Sequence, residues 1–167
     1  MPMTDERIDF INDSLYFYTA IGLIQAAQKE ILICNFKMES PIGKKKQKLI
    51  ALYNALGRKA GAGVSIKILL HGLSGKNTIA QANKTTAAFL KLKSIKIRSF
   101  PEWRTIHAKI LIQDEKKMLL GSHTWTARSL SYNLETSLLI KNSPVINKVS
   151  RFFLAAWEEA EPFDRGI

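Results

Sequence analysis

The sequence predicts an α/β sandwich in which a mixed sheet is flanked by helices on both faces. Two patterns carry this. Amphipathic helical segments alternate with short apolar, β-branched runs through the first two thirds, and the last third holds two strands joined by a tight turn. A third observation agrees: 46% of the 167 residues are hydrophobic and 23% charged, the balance of a chain with a packed core. That length suits one domain over residues 1–167.

Leu15, Ile21, Leu23, Ile24 and Ala27 give a helix that opens near Asn12 to Ser14, and Glu30 to Phe36 reads as a core strand. A loop with Pro41, Gly43 and a lysine run leads into a helix from Gln47 to Lys59. Gly61 and Gly63 stop it before a strand from Val64 to Leu70. After the loop His71 to Asn77 come a polar helix, Thr78 to Lys91, and a short strand, Ile95 to Arg98. A connection through Pro101 and Trp103 follows. Ile106 to Gln113 and Lys117 to Gly121 form a hairpin about Asp114, Glu115 and Lys116; Leu134 to Ile140 is a further strand. Val145, Val149, Phe152, Phe153, Ala156 and Trp157 mark the apolar face of a last helix, Pro144 to Glu159.

Charge narrows the partners. The formal net charge is +11, and from Ser40 to Pro101 there is no Asp or Glu. The same stretch holds Lys44, Lys45, Lys46, Lys48, Arg58, Lys59, Lys67, Lys76, Lys84, Lys91, Lys93, Lys96 and Arg98. Such a surplus is either a set of solvated faces or a surface for a polyanion. Cys34, the single cysteine, lies in an apolar run and has no intramolecular disulfide partner. The acidic start MPMTDERIDF is unlike a secretory signal, and the apolar run Leu15 to Ile24 falls short of the roughly 20 residues of a membrane span. The expectation is a cytoplasmic protein with no stable membrane association.

His107 and Lys109, two apart in the expected strand Ile106 to Gln113, leave the same face of the sheet. An imidazole and an ammonium among Ala108, Ile110 and Ile112 are either a surface-facing strand end or a functional pair. Trp103 and Arg104, just ahead, have the chemistry to stack on a base and contact phosphate, although a Trp in a core-lining loop is as common. HGLSGKN is not a nucleotide-binding P-loop: its glycines are too close together and no Ser or Thr follows Lys76. It is either a plain surface loop or one that touches substrate phosphates. No metal is expected, for the three histidines and one cysteine show no ligand spacing such as H-E-x-x-H.

The segment HAKILIQDEKKMLLGSHT places Asp114 four intervening residues after Lys109, and Gly121 and Ser122 six after Asp114; Asn133 and Glu135 form a later N-x-E. This resembles the phospholipase D superfamily, whose signature runs H-x-K, four residues, D, six residues, G-S. The upstream ALGRKAGAGVSIKILL is similar to that family's helix, basic residue, glycine and strand, so the resemblance spans about Leu15 to Ile140.

The resemblance implies a phospholipase D-like α/β sandwich and a metal-independent, cofactor-free phosphodiesterase, a nuclease in view of the basic middle. His107 would attack phosphorus and form a phosphohistidine. Lys109, Ser122 and Thr124 would hold the phosphate oxygens, with Arg104 a further phosphate contact. Glu135 would accept the other imidazole N–H. Asp114 belongs to the motif, but its place where the hairpin turns suits a structural role. The family has Asn where Thr124 stands, and a hydroxyl offers one donor where an amide offers two. His123 lies outside the pattern and reads as a loop residue or as a second catalytic imidazole. Because the reaction uses two histidines and the chain has one such unit, a homodimer is implied, with nucleic acid, DNA or RNA, as the substrate. The rivals are a lipid phosphodiesterase and a nucleic-acid-binding module that has lost catalysis.

Overall fold

The computed structural model describes residues 7–100 and 103–164. The first six residues of the acidic start, and Pro101 of the expected connection, lie outside the described residues. The chain runs β1 (Arg7–Asn12), α1 (Leu15–Ala26), β2 (Glu30–Asn35), α2 (Gln47–Gly61), β3 (Ser65–Leu70) and α3 (Thr78–Lys91). It continues with β4 (Lys96–Ser99), β5 (Ile110–Gln113), β6 (Lys117–Gly121), β7 (Thr136–Lys141), α4 (Pro144–Glu159) and β8 (Glu161–Pro162).

The strands form one mixed sheet in the order β1-β7-β6-β5-β2-β3-β4-β8. β2 and β4 flank β3 in parallel; the remaining pairings are antiparallel. Strand alternation divides the core. Ile31 and Ile33 of β2 join Leu23 and Ile24 of α1 and Leu52 and Leu56 of α2 in one buried cluster. Leu32 and Cys34 join Ile146, Phe153 and Trp157 of α4 in the other. A strand apolar on both sides reads as the unbroken run ILIC because helices cover both its faces. Local chemistry sets the ends: the Asn77 side chain accepts from Ala80 N–H at 2.9 Å to cap α3, and Ser143 accepts from Val145 N–H ahead of Pro144 in α4.

Two strands lie where the sequence predicts none, and two strand starts differ. β1 is an edge strand with one buried residue, Ile11, so it lacks the apolar density of a core strand. β8 is two residues long and has no periodicity to detect. The strand expected from Ile106 begins at Ile110, and that expected from Leu134 begins at Thr136. In the first case Ile106 N–H is diverted to the His71 ring, so the backbone ahead of Ile110 leaves the ladder.

Candidate active site

His107 and Lys109 therefore sit on an extended lead-in to β5 rather than within it. Their side chains still converge: Lys109 Nζ is 3.2 Å from His107 Nδ1 and 3.3 Å from Nε2, and donates to the His107 carbonyl at 2.6 Å. His107 is exposed and Lys109 half-buried. Burial lowers the Lys109 pKa, while the charges of Glu135 and Cys34 oppose the shift. The ammonium also lies 5.6 Å from the centre of the Phe36 ring.

The neighbouring strands bring up the second half of the motif. Gly121 N–H donates to the Lys109 carbonyl at 3.3 Å, and Ser122 N–H to the Thr136 carbonyl at 2.8 Å. A Cβ on Gly121 would fall 2.2 Å from the Thr136 oxygen and 2.3 Å from Ser137 Oγ, so only hydrogen fits there. This close approach is what the glycine of G-S provides. Ser122 Oγ donates to the Glu135 carboxylate and accepts from Thr136 N–H at 3.1 Å. Asn133 Nδ2 donates to Glu135 Oε1 at 3.1 Å. Burial raises the Glu135 pKa, but hydrogen bonds from Ser122, Asn133 and Ser129 overcome it and hold the carboxyl below its usual value. Within one chain, then, Glu135 serves Ser122 and Asn133, and among the described residues no hydrogen bond joins it to His107, whose nitrogens face Lys109.

The other sequence candidates divide. Asp114 lies past the far end of β5, where its carboxylate accepts from the N–H groups of Gln28, Lys29 and Glu30 at 2.9, 2.8 and 2.9 Å, and from Gln113 Nε2. It joins the α1–β2 turn to the β5–β6 hairpin. His123 is buried, stacks on Tyr16 with ring centres 4.2 Å apart, and pairs through Nδ1 with Ser137 Oγ and through Nε2 with the Asp13 carbonyl. It is a satisfied core histidine, not a second catalytic imidazole. Thr124 N–H donates to Ser129 Oγ at 3.0 Å, and its hydroxyl lies 3.4 Å from that of Thr126. The Arg104 guanidinium pairs with Glu159 and lies 4.4 Å from the Phe100 ring centre. Trp103 is 79% exposed, which corrects the core-lining alternative.

Sequence reasoning missed Phe36 and weighed His71 only as the first residue of the loop HGLSGKN. Phe36 stacks on His71 with centres 5.0 Å apart and meets the His107 ring at 5.1 Å. Both follow the C-terminal ends of parallel strands, β2 and β3, where open α/β sheets place their ligands. That position was the available signal. Beside His107 a cavity of about 240 Å³ is walled by Cys34, Leu69, Phe100, Ile106, Phe153 and Ala156. Among the described residues no group of three His, Cys, Asp or Glu side chains converges to hold a metal ion.

An imidazole and an ammonium in contact, with a serine and a carboxylate hydrogen-bonded nearby at one end of the central strands of a mixed sheet, are the groups that a phosphodiesterase site of the phospholipase D type would use. The chain belongs to the phospholipase D superfamily: the sequence model described as cardiolipin synthase, PLD-like domain, matches residues 20–157. Mitochondrial cardiolipin hydrolase of Mus musculus is 26% identical over 80 residues, 48% of this chain but only 36% of that protein. Among solved structures the fold is similar to Nuc from Salmonella typhimurium, a phospholipase D family member. The TM-score is 0.77 at 16% identity, covering 95% of this chain and 99% of Nuc. It is also similar to NucT from Helicobacter pylori, with TM-score 0.74 at 18% identity, covering 95% of this chain and 100% of NucT.

Proposed function

We propose that the chain is a nuclease of this superfamily, cleaving DNA or RNA without a metal ion through a phosphohistidine on His107. The observation that carries the reading is the contact of His107 with Lys109 beside Ser122 and Glu135. One imidazole nitrogen of His107 attacks phosphorus, the P–O bond to the leaving alkoxide breaks, and that oxygen takes a proton from a second imidazolium. Water then attacks the phosphohistidine and gives its proton back to the same imidazole, releasing the phosphate product and free His107. Lys109 faces the charge that builds on the nonbridging oxygens, and the Ser122 hydroxyl joins it once its proton turns from Glu135 to the phosphate.

The second imidazole belongs to another copy of the chain. Phe10 of β1, Leu138 of β7 and Leu120 of β6 are cross-strand neighbours, and all three are exposed, leaving an apolar row on the sheet. Leu120 in turn pairs with Ile110 of β5, and a copy docked on this row is the proposed source of the second imidazole.

Nucleic acid as substrate rests on charge. Lys44 and Lys45 in the loop before α2 form no ion pair among the described residues, and Lys45 lies 6.0 Å from the ring centre of Tyr132. Tyr132 adjoins Asn133, so the lysine loop borders the segment that carries Glu135. The apolar cavity beside His107 favours a second reading, a lipid phosphodiester as named for the mouse relative. Among the described residues no helix is long and apolar enough to cross a membrane. Labelled single- and double-stranded DNA and RNA, assayed in parallel with cardiolipin vesicles, separate the two. The nuclease reading requires cleavage of nucleic acid at enzyme levels where the vesicles stay intact; the reverse order establishes the lipid reading.

A further inference from the structure

His71 is a half-buried histidine that neither the motif nor the chemistry above uses. It follows β3 directly, and its backbone is held firmly: Asn83 of α3, fully buried, donates through Nδ2 to the His71 carbonyl at 2.8 Å and to the Phe36 carbonyl at 3.0 Å. The Asn83 Oδ1 accepts from Met38 N–H at 2.8 Å. One side chain thus fixes the ends of two parallel strands against each other. Every polar atom of that amide is engaged, as burial demands.

From this anchored position the His71 ring makes two contacts toward the nucleophile. Its Nδ1 accepts the N–H of Ile106, the residue directly before His107, at 3.3 Å. Its face stacks on Phe36, with an angle of 19° between the rings, and the same Phe36 ring abuts His107. The Ile106 N–H is also the group whose diversion takes the lead-in out of the β5 ladder.

We propose that His71 is a positioning residue for His107. Resting on the functional reading above, the assignment is that the neutral His71 ring, anchored through Asn83, fixes the backbone ahead of the nucleophile through Ile106 N–H and its imidazole plane through Phe36. The role needs an unprotonated Nδ1, because a protonated one would present a second donor to the Ile106 N–H. In the neutral ring the proton is then on Nε2. Burial first, and the nearby His107 charge second, lower the His71 pKa, which agrees with a ring kept neutral.

Two variants separate the acceptor from the stack. His71→Asn keeps an oxygen at the position of Nδ1 and loses the aromatic face. His71→Phe keeps the face and loses the acceptor. Both are checked for native thermal unfolding and then compared in three ways: amide exchange at Ile106, NMR of the His107 ring, and kcat against KM on the preferred phosphodiester. The expected result for His71→Phe is at least about tenfold faster exchange at Ile106, displaced His107 ring resonances, and a kcat lower by up to ~10²-fold, as for a misplaced catalytic group, with KM nearly unchanged. His71→Asn should recover most of the exchange protection at Ile106 while its His107 ring resonances shift, because the stacking face is lost. Native exchange at Ile106 in His71→Phe, or unmoved His107 resonances in both variants, would overturn the proposal. The exchange and NMR arms need no turnover, so an inactive native chain would count against the nuclease reading while these arms still decide the role of His71.

Discussion

His107 and Asp114 stand at opposite ends of β5, one ahead of Ile110 and the other just past Gln113. They belong to one sequence motif, yet their surroundings assign them different work. His107 is exposed beside Lys109, whereas the Asp114 oxygens accept three backbone N–H groups and a side-chain amide. Asp114→Ala should lower unfolding free energy by about 2 kcal/mol, since hydrogen bonds to a charged group are worth roughly 1.5–3 kcal/mol and solvent reaches part of this site. Chemical denaturation measures it. Cleavage per folded molecule should stay close to native; a variant that folds normally but does not cleave would move Asp114 into the reaction.

Gly121→Ala probes the seam between β6 and β7. The added Cβ would meet backbone and Ser137 Oγ at 2.2–2.5 Å, and a sheet backbone yields little. The expected cost is about 1–3 kcal/mol of stability, the range for overpacking, together with reduced cleavage as Ser122 moves from Glu135. Paired denaturation and turnover measurements test both halves.

Leu138→Glu places a carboxylate in the middle of the exposed row Phe10–Leu138–Leu120. Because Leu138 is already 40% exposed, the folded monomer should tolerate it. Sedimentation should show monomer in place of dimer, and cleavage should fall in step. A native chain that cleaves as a monomer contradicts the shared site.

Acid should weaken the fold before it protonates most carboxylates. Burial pulls the His123 pKa below its ordinary 6.5, against the opposing effects of the Asp13 carbonyl and the Glu135 and Asp13 charges. His71 shifts the same way, through burial and then the His107 charge. Below about pH 6.5 the unfolded chain therefore binds more protons than the folded one. The stability is complete above that pH and is lost as pH falls through the folded values. Unfolding midpoints between pH 7 and 5 should fall more steeply for the native chain than for His123→Gln. Equal slopes would contradict the assignment.

The sheet was legible wherever burial imposed a pattern. β2 and β3 announce themselves as apolar runs because helices cover both faces, and the hairpin shows itself at Asp114 and Glu115, both at positive φ. β1 and β8 were hidden because their strands are held by backbone pairing with few covered side chains. At the site, the H-x-K and G-S spacing marked His107, Lys109 and Ser122, since residues on adjacent strands meet at fixed register. Phe36 and His71 come from the ends of two other strands, with Asn83 from α3 binding them. Such a meeting depends on tertiary arrangement, which a spacing rule cannot express. The same holds for Glu135, whose carboxylate goes to Ser122.

The most direct test of the account is cleavage of labelled single- and double-stranded DNA and RNA in excess chelator by the native chain and by His107→Ala. Cleavage that survives chelation and is lost in the variant is the predicted result. Cleavage that stops on chelation, or persists at native rate in His107→Ala, would contradict a metal-free phosphohistidine mechanism.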